Sequence, residues 1–109
     1  GNRVTCIDID QEKITELSEG KVPIYEPGLK DILKTNQLAK RLDFTSSIER
    51  GTRGAEVIFI AVGTPQKVDG SADLSHVLAA ARSIARWIES YAVIVVKSTV
   101  PVGLCLTCM

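Results

Sequence analysis

The run Ile58-Phe59-Ile60-Ala61-Val62, followed at once by Gly63-Thr64-Pro65, constrains this chain more than any other feature. Consecutive apolar residues without alternation are the pattern of a strand in a parallel sheet covered by helices on both faces. Gly63, Thr64 and Pro65 then stop the strand with a small residue, a hydroxyl and a rigid turn former. A second apolar stretch, Ala92 to Lys97, closes the same way, in Ser98-Thr99-Val100-Pro101-Val102-Gly103. Ligands of open α/β sheets sit just beyond the carboxyl ends of the strands. Two such endings, one long helix apart, predict a nucleotide or cofactor crevice.

The rest of the chain fits the same architecture. Val4-Thr5-Cys6-Ile7 is a short β-favouring stretch that ends at Asp8. Asp10 is placed to cap a helix over 11–19, with Ile14 and Leu17 on its inner face and Gly20 at its end. A stiff turn, Val22 to Gly28, opens a second helix carrying Leu29, Ile32 and Leu33 at i, i+3 and i+4. Residues 41–45 read as a brief strand and 46–50 as one or two helical turns. After the polar loop 67–71, Asp73 or Ser71 is expected to cap a long helix. Its apolar positions, Leu74, Val77, Leu78, Ala81, Ile84, Ala85 and Ile88, follow the 3.6-residue period. Strand, helix and strand in this order predict a parallel βαβ unit with a right-handed crossover.

The fold class is therefore α/β, a Rossmann-like parallel sheet with helices on both faces. A complete dinucleotide site opens with G-x-G-x-x-G between the first strand and its helix, and no such run occurs. Gly1-Asn2-Arg3 leads almost directly into a strand, so the sheet is expected to be incomplete, with its first βα unit missing.

Charge and composition exclude several classes. At 109 residues the chain is one domain or part of one. Its 13 Lys and Arg balance its 13 Asp and Glu, and aromatics make up only 5%. Nothing marks a nucleic-acid surface, a base-stacking platform or a membrane surface. No signal peptide is visible, and no apolar run approaches the roughly 20 residues of a membrane helix. The three cysteines, Cys6, Cys105 and Cys108, make no disulfide framework. Reduced thiols and a cytoplasmic location are expected. Cys105 and Cys108 have the C-x-x-C spacing of a redox pair or half a zinc site, but no second pair accompanies them. No metal site is expected.

The candidate binding residues lie at strand ends. Asp8 is positioned to accept hydrogen bonds from adenosine ribose hydroxyls and to repel a 2′-phosphate, favouring NAD over NADP. It also reads as a plain strand-end acid near a helix start. Lys13, on the first turn of the next helix, can reach the adenosine side of a cofactor or a phosphate, or stand as a solvated surface charge. Gly63, Thr64 and Pro65 let a ligand approach the backbone, with the Thr64 hydroxyl free to bond a ribose or phosphate oxygen, or they form an ordinary turn. Ser98 and Thr99 offer hydroxyls to a water or sugar, or cap a helix that Pro101 opens. The single histidine, His76, is read as surface or boundary packing.

Together these pieces resemble the N-terminal domain of the UDP-glucose/GDP-mannose dehydrogenase family. The matching segments are NRVTCIDID (2–10), KVPIYEPGL (21–29), AEVIFIAVGTP (55–65), DGSADL (69–74) and KSTVPVG (97–103). Order and spacing agree from Asn2 to Gly103, and PIYEPGL with DGSADL favours the UDP-glucose branch. The resemblance implies a four-electron oxidation of the sugar C6 alcohol to a carboxylate with two NAD, a UDP-sugar substrate and a homo-oligomer when complete. By position, Asp8 would hold the adenosine ribose and Lys13 would contact the cofactor nearby. Thr64 would line the cofactor and Thr99 would position the catalytic water.

The family's nucleophilic cysteine and sugar contacts would fall beyond Met109, and Cys105 and Cys108 do not match the nucleophile's motif. Residues 1–103 are therefore expected to be a partial NAD-binding domain and 104–109 a divergent tail. This chain alone is expected to bind NAD weakly and to turn over nothing. Two other readings stay open: a non-catalytic interaction fragment using an exposed sheet edge, and a small module acting through Cys105 and Cys108.

Overall fold

The structure, a computed structural model, describes residues 2–22, 26–70 and 73–97. The chain divides into two compact units, residues 1–51 and 52–109. Each holds a parallel pair of strands joined through helices.

In the first unit, β1 (Val4–Ile7) leads through α1 (Gln11–Ser18) and α2 (Leu29–Leu38) to β2 (Leu42–Thr45). The strands pair in parallel, from Val4 opposite Leu42 to Ile7 opposite Thr45. Both helices pack on β2. Successive residues of a strand point to opposite faces, and Phe44 and Thr45 are both buried, so both faces of β2 are covered. The N-cap of α1 is Asp10, and Gly20 beyond its end takes φ +85°, as the sequence predicts. Ile14 is the buried residue of α1, with Leu17 half-buried beside it.

The inner face of α2 differs from expectation. Leu29 and Leu33 are half-buried, but Ile32 is 60% exposed. The half-buried stripe is Leu29, Leu33, Asn36 and Gln37, which leaves Ile32 to one side of it on a 3.6-residue helix. Gln37 sets this rotation, because its amide donates to the carbonyls of Leu17 and Ser18 at 3.3 and 3.4 Å, tying α2 to the end of α1.

The helical turns after β2 form α3 (Ile48–Thr52). The Ser47 hydroxyl accepts the Arg50 N–H at 3.2 Å, capping the turn. Gly51 belongs here for lack of a side chain, since a Cβ at this position would run into Cγ1 and Cδ1 of Ile7.

The second unit runs β3 (Val57–Ile60), α4 (Ser75–Trp87) and β4 (Val93–Val96). Its strands are parallel, with Val57 opposite Val93 and Ile60 opposite Val96. This is the βαβ unit the sequence predicts. Val77, Ala81 and Ile84 of α4 are buried, while Ala85, expected on the same face, is exposed. The N-cap is Leu74 and makes no side-chain cap bond, so Asp73 stands one residue outside the predicted position. Asp73 still accepts the Ser75 N–H at 3.0 Å. That bond, aided by Lys67 and His76, holds its carboxyl below the usual aspartate range. Its contribution to stability is present above the unfolded-state pKa and disappears as pH falls through the folded value. Ser71, the other expected cap, lies outside the described residues.

The strand of the opening prediction is shorter and less covered than expected. Its ladder ends at Ile60, whose carbonyl accepts the Lys97 N–H at 2.8 Å, so Ala61 and Val62 lie beyond it. Burial alternates along β3. Ile58 and Ile60 are 9% and 3% exposed, whereas Val57 and Phe59 are 50% and 63% exposed. An unbroken apolar run identifies the strand, but the pleat separates its two faces. The Ile58 and Ile60 face is the covered one; the Phe59 face is open. No helix among the described residues is long and apolar enough to cross a membrane.

Candidate functional site

The residues predicted at the tip of the first strand come together. β1 continues one hydrogen bond past its end, from the Asp8 N–H to the Thr45 carbonyl at 3.2 Å, which aligns Asp8 with the strand axis. The chain then turns into α1. The N–H of Asp10 donates to Asp8 Oδ1 at 3.0 Å. The other oxygen, Oδ2, faces Lys13 Nζ at 3.7 Å, with the side chains of Lys13 and Asp8 48% and 38% exposed.

The separation exceeds hydrogen-bond length, and an exposed pair of this kind contributes about 1 kcal/mol or less. A carboxylate held this way, half open to solvent and with an ammonium alongside, can accept hydrogen bonds from a vicinal diol. The acceptor geometry suits a ribose.

A link with no sequence signal ties the start of α1 to the end of β2, beside a groove that Asp8 and Lys13 do not line. Ser46, just past β2, donates its hydroxyl to Gln11 Oε1 at 2.5 Å. Gln11, Ile14, Thr15, Phe44, Thr45 and Ser46 help to line an open groove of about 420 Å³. Neither side chain carries a motif; only the parallel pairing of β1 and β2, which brings their carboxyl ends together, exposes the connection.

Gly63, Thr64 and Pro65 follow β3 in the second unit, outside any helix or strand. A Cβ at Gly63 would meet nothing within 4 Å, so the backbone there is open to approach, and Thr64 is half-buried. The Pro65 carbonyl accepts the Asp73 N–H at 2.7 Å, which pins the loop between β3 and α4 at its base. Ser98 and Thr99, with Cys105 and Cys108, lie outside the described residues. His76 is exposed on α4, as expected for a surface residue. Cys6 is exposed as a residue, yet partial burial raises its thiol pKa and keeps it protonated at neutral pH.

Two consecutive pairs of parallel strands, each joined through helices that pack on a strand of the pair, define a Rossmann-like α/β fold. The sequence model of the UDP-glucose/GDP-mannose dehydrogenase family, NAD binding domain, matches residues 1–109. The chain belongs to this family, and NAD is the cofactor of its domain.

It is 52% identical over 103 residues to UDP-glucose 6-dehydrogenase TuaD of Bacillus subtilis, covering 94% of this chain and 22% of that protein. Among solved structures, a UDP-glucose dehydrogenase from the hyperthermophilic archaeon Pyrobaculum islandicum matches with a TM-score of 0.88 at 43% identity, covering 94% of this chain and 24% of that one. A GDP-mannose dehydrogenase from Pseudomonas aeruginosa, solved as a ternary complex, matches with a TM-score of 0.91 at 33% identity, covering 99% and 26%. The chain thus spans about a quarter or less of the length of these relatives.

Proposed function

We propose that this chain is the NAD-binding part of an enzyme that oxidises the C6 alcohol of UDP-glucose to the carboxylate of UDP-glucuronate. The reaction removes four electrons as two hydrides, one to each of two NAD, and takes the second carboxylate oxygen from water. NAD, when bound, supplies the hydride acceptor. The residues of this chain bind and orient it. The Asp8 carboxylate accepts the adenosine ribose hydroxyls, and Lys13 lies beside it to meet the cofactor.

Gly63, Thr64, Pro65 and Ser98 belong to the same proposal through their strand-end positions, Thr99 as the water-positioning residue. Residues 1–103 make up the NAD-binding portion, with 104–109 as a divergent tail. In this reading the complete enzyme is a cytoplasmic homo-oligomer that takes a UDP-sugar. The balance of 13 basic against 13 acidic residues supports the absence of a nucleic-acid partner.

The observation that carries the proposal is the exposed Asp8 carboxylate at the carboxyl end of β1, held at Oδ1 by a backbone N–H, in a chain of this NAD-binding family. A 2′-phosphate brought to that carboxylate would meet like charge. Parallel calorimetric titrations with NAD and NADP are expected to give NADP at least about tenfold weaker binding, a difference of about 1.4 kcal/mol. Equal or tighter binding of NADP would remove the role given to Asp8.

A further inference from the structure

We infer that Asp10 is a positioning residue for cofactor recognition, an inference that rests on the proposal that Asp8 and Lys13 hold the adenosine ribose. Asp10 touches both members of that pair. Its own N–H donates to Asp8 Oδ1 at 3.0 Å. Its side-chain Oδ1 accepts the N–H of Lys13 at 3.2 Å and that of Glu12 at 3.1 Å. One residue therefore fixes the acid from one side and the first helical turn that carries the base from the other.

The ion pair cannot supply this order itself. At 3.7 Å, with both side chains more than a third exposed, solvent screens it, and ordering two flexible side chains offsets most of what it gains. The Asp10 frame is made of backbone N–H bonds of 3.0 to 3.2 Å. The side-chain cap holds Asp10 at φ −79° and ψ 99°, which fixes the amide that donates to Asp8 relative to the first turn of α1. Removing the carboxylate frees that conformation, so the loss reaches Asp8 as well as the helix start. The sequence shows only the Asp8-Ile9-Asp10 spacing; the service of the second acid to the first runs through the backbone direction.

The test is a double-mutant cycle on the 109-residue chain, read by NAD titration. Asp10→Ala is expected to weaken NAD binding about three- to tenfold, the cost of ordering a side chain or two on binding. Asp10→Asn and Asp10→Ser, which keep a capping oxygen, should stay within about twofold. Asp10→Gly, tolerated at an N-cap but lacking the carboxylate, should behave as Asp10→Ala and covers the case in which the alanine variant fails to fold.

In an Asp8→Ala background, which removes the acceptor, Asp10→Ala should cost no more than about twofold further, because a residue acting through Asp8 then has nothing left to position. Full affinity in both Asp10→Ala and Asp10→Gly would overturn the positioning role alone. So would a loss on Asp10→Ala that is undiminished in the Asp8→Ala background, as a purely structural cap would give. An Asp8→Asn chain that binds NAD like the unaltered one would overturn the ribose reading and the positioning role with it.

Discussion

Replacing Asp8 by alanine is expected to weaken NAD binding by about 100-fold while leaving the folded state almost as stable as before. The two effects separate because they draw on different interactions. In the free protein the Asp8 carboxylate has an exposed partner at 3.7 Å and one backbone N–H at 3.0 Å. The ion pair contributes about 1 kcal/mol at most, and the N–H freed by the substitution is near enough to solvent to find water. Against a ribose, the same carboxylate accepts two hydroxyl donors, each a charge-assisted bond of about 1.5–3 kcal/mol. Losing both, at the lower end of that range, corresponds to roughly two orders of magnitude in dissociation constant. Asp8→Asn keeps one acceptor and should lose about tenfold, while binding NADP relatively better. Calorimetry for affinity and denaturant melts for stability read the two effects separately. A large stability loss with unchanged affinity would make Asp8 a structural residue.

The second large effect concerns the second unit. Ile60→Ala is expected to destabilise it by about 2–5 kcal/mol, whereas Phe59→Ala, the larger deletion, should cost about 1 kcal/mol or less. Ile60 is 3% exposed, and the N–H of Lys97 bonds to its carbonyl, so its side chain fills the packed face at the strand tip. Phe59, its neighbour, is 63% exposed on the other face. If both faces were covered, as the unbroken apolar run implies, Phe59→Ala would be the costlier change, at about 3–5 kcal/mol. Urea denaturation of the two variants decides between one covered face and two.

The contrast marks how far the sequence can be read. Periodicity and turn chemistry located the elements: the Asp10 cap, Gly20 at positive φ and the β3–α4–β4 unit are all where local rules put them. The coverage of β3 was not legible, because an apolar run names a strand without saying which face meets a helix. Ile32 was misplaced for a related reason. Its spacing suits an inner face, but the rotation of α2 is set by Gln37, a polar side chain reaching carbonyls some twenty residues earlier.

The places of Asp8, at a strand end, and Lys13, on the first turn of the next helix, were legible from strand-end position and helical spacing. The double contact of Asp10 and the Ser46–Gln11 bond were not, since each depends on backbone direction or strand pairing that no local pattern encodes. The family resemblance read from five motifs in sequence agrees with the family match over residues 1–109.

One claim underlies the rest: the tip of the first strand is where the adenosine half of NAD is recognised. A titration of the isotopically labelled chain with NAD, followed amide by amide, tests it most directly. Saturable shifts should be largest at Asp8, Asp10 and Lys13, and those at Asp10 and Lys13 should fall away in Asp8→Ala. Shifts that do not saturate, or that gather instead on the outer face of α4 around His76, Arg82 and Arg86 and survive the substitution, would contradict it.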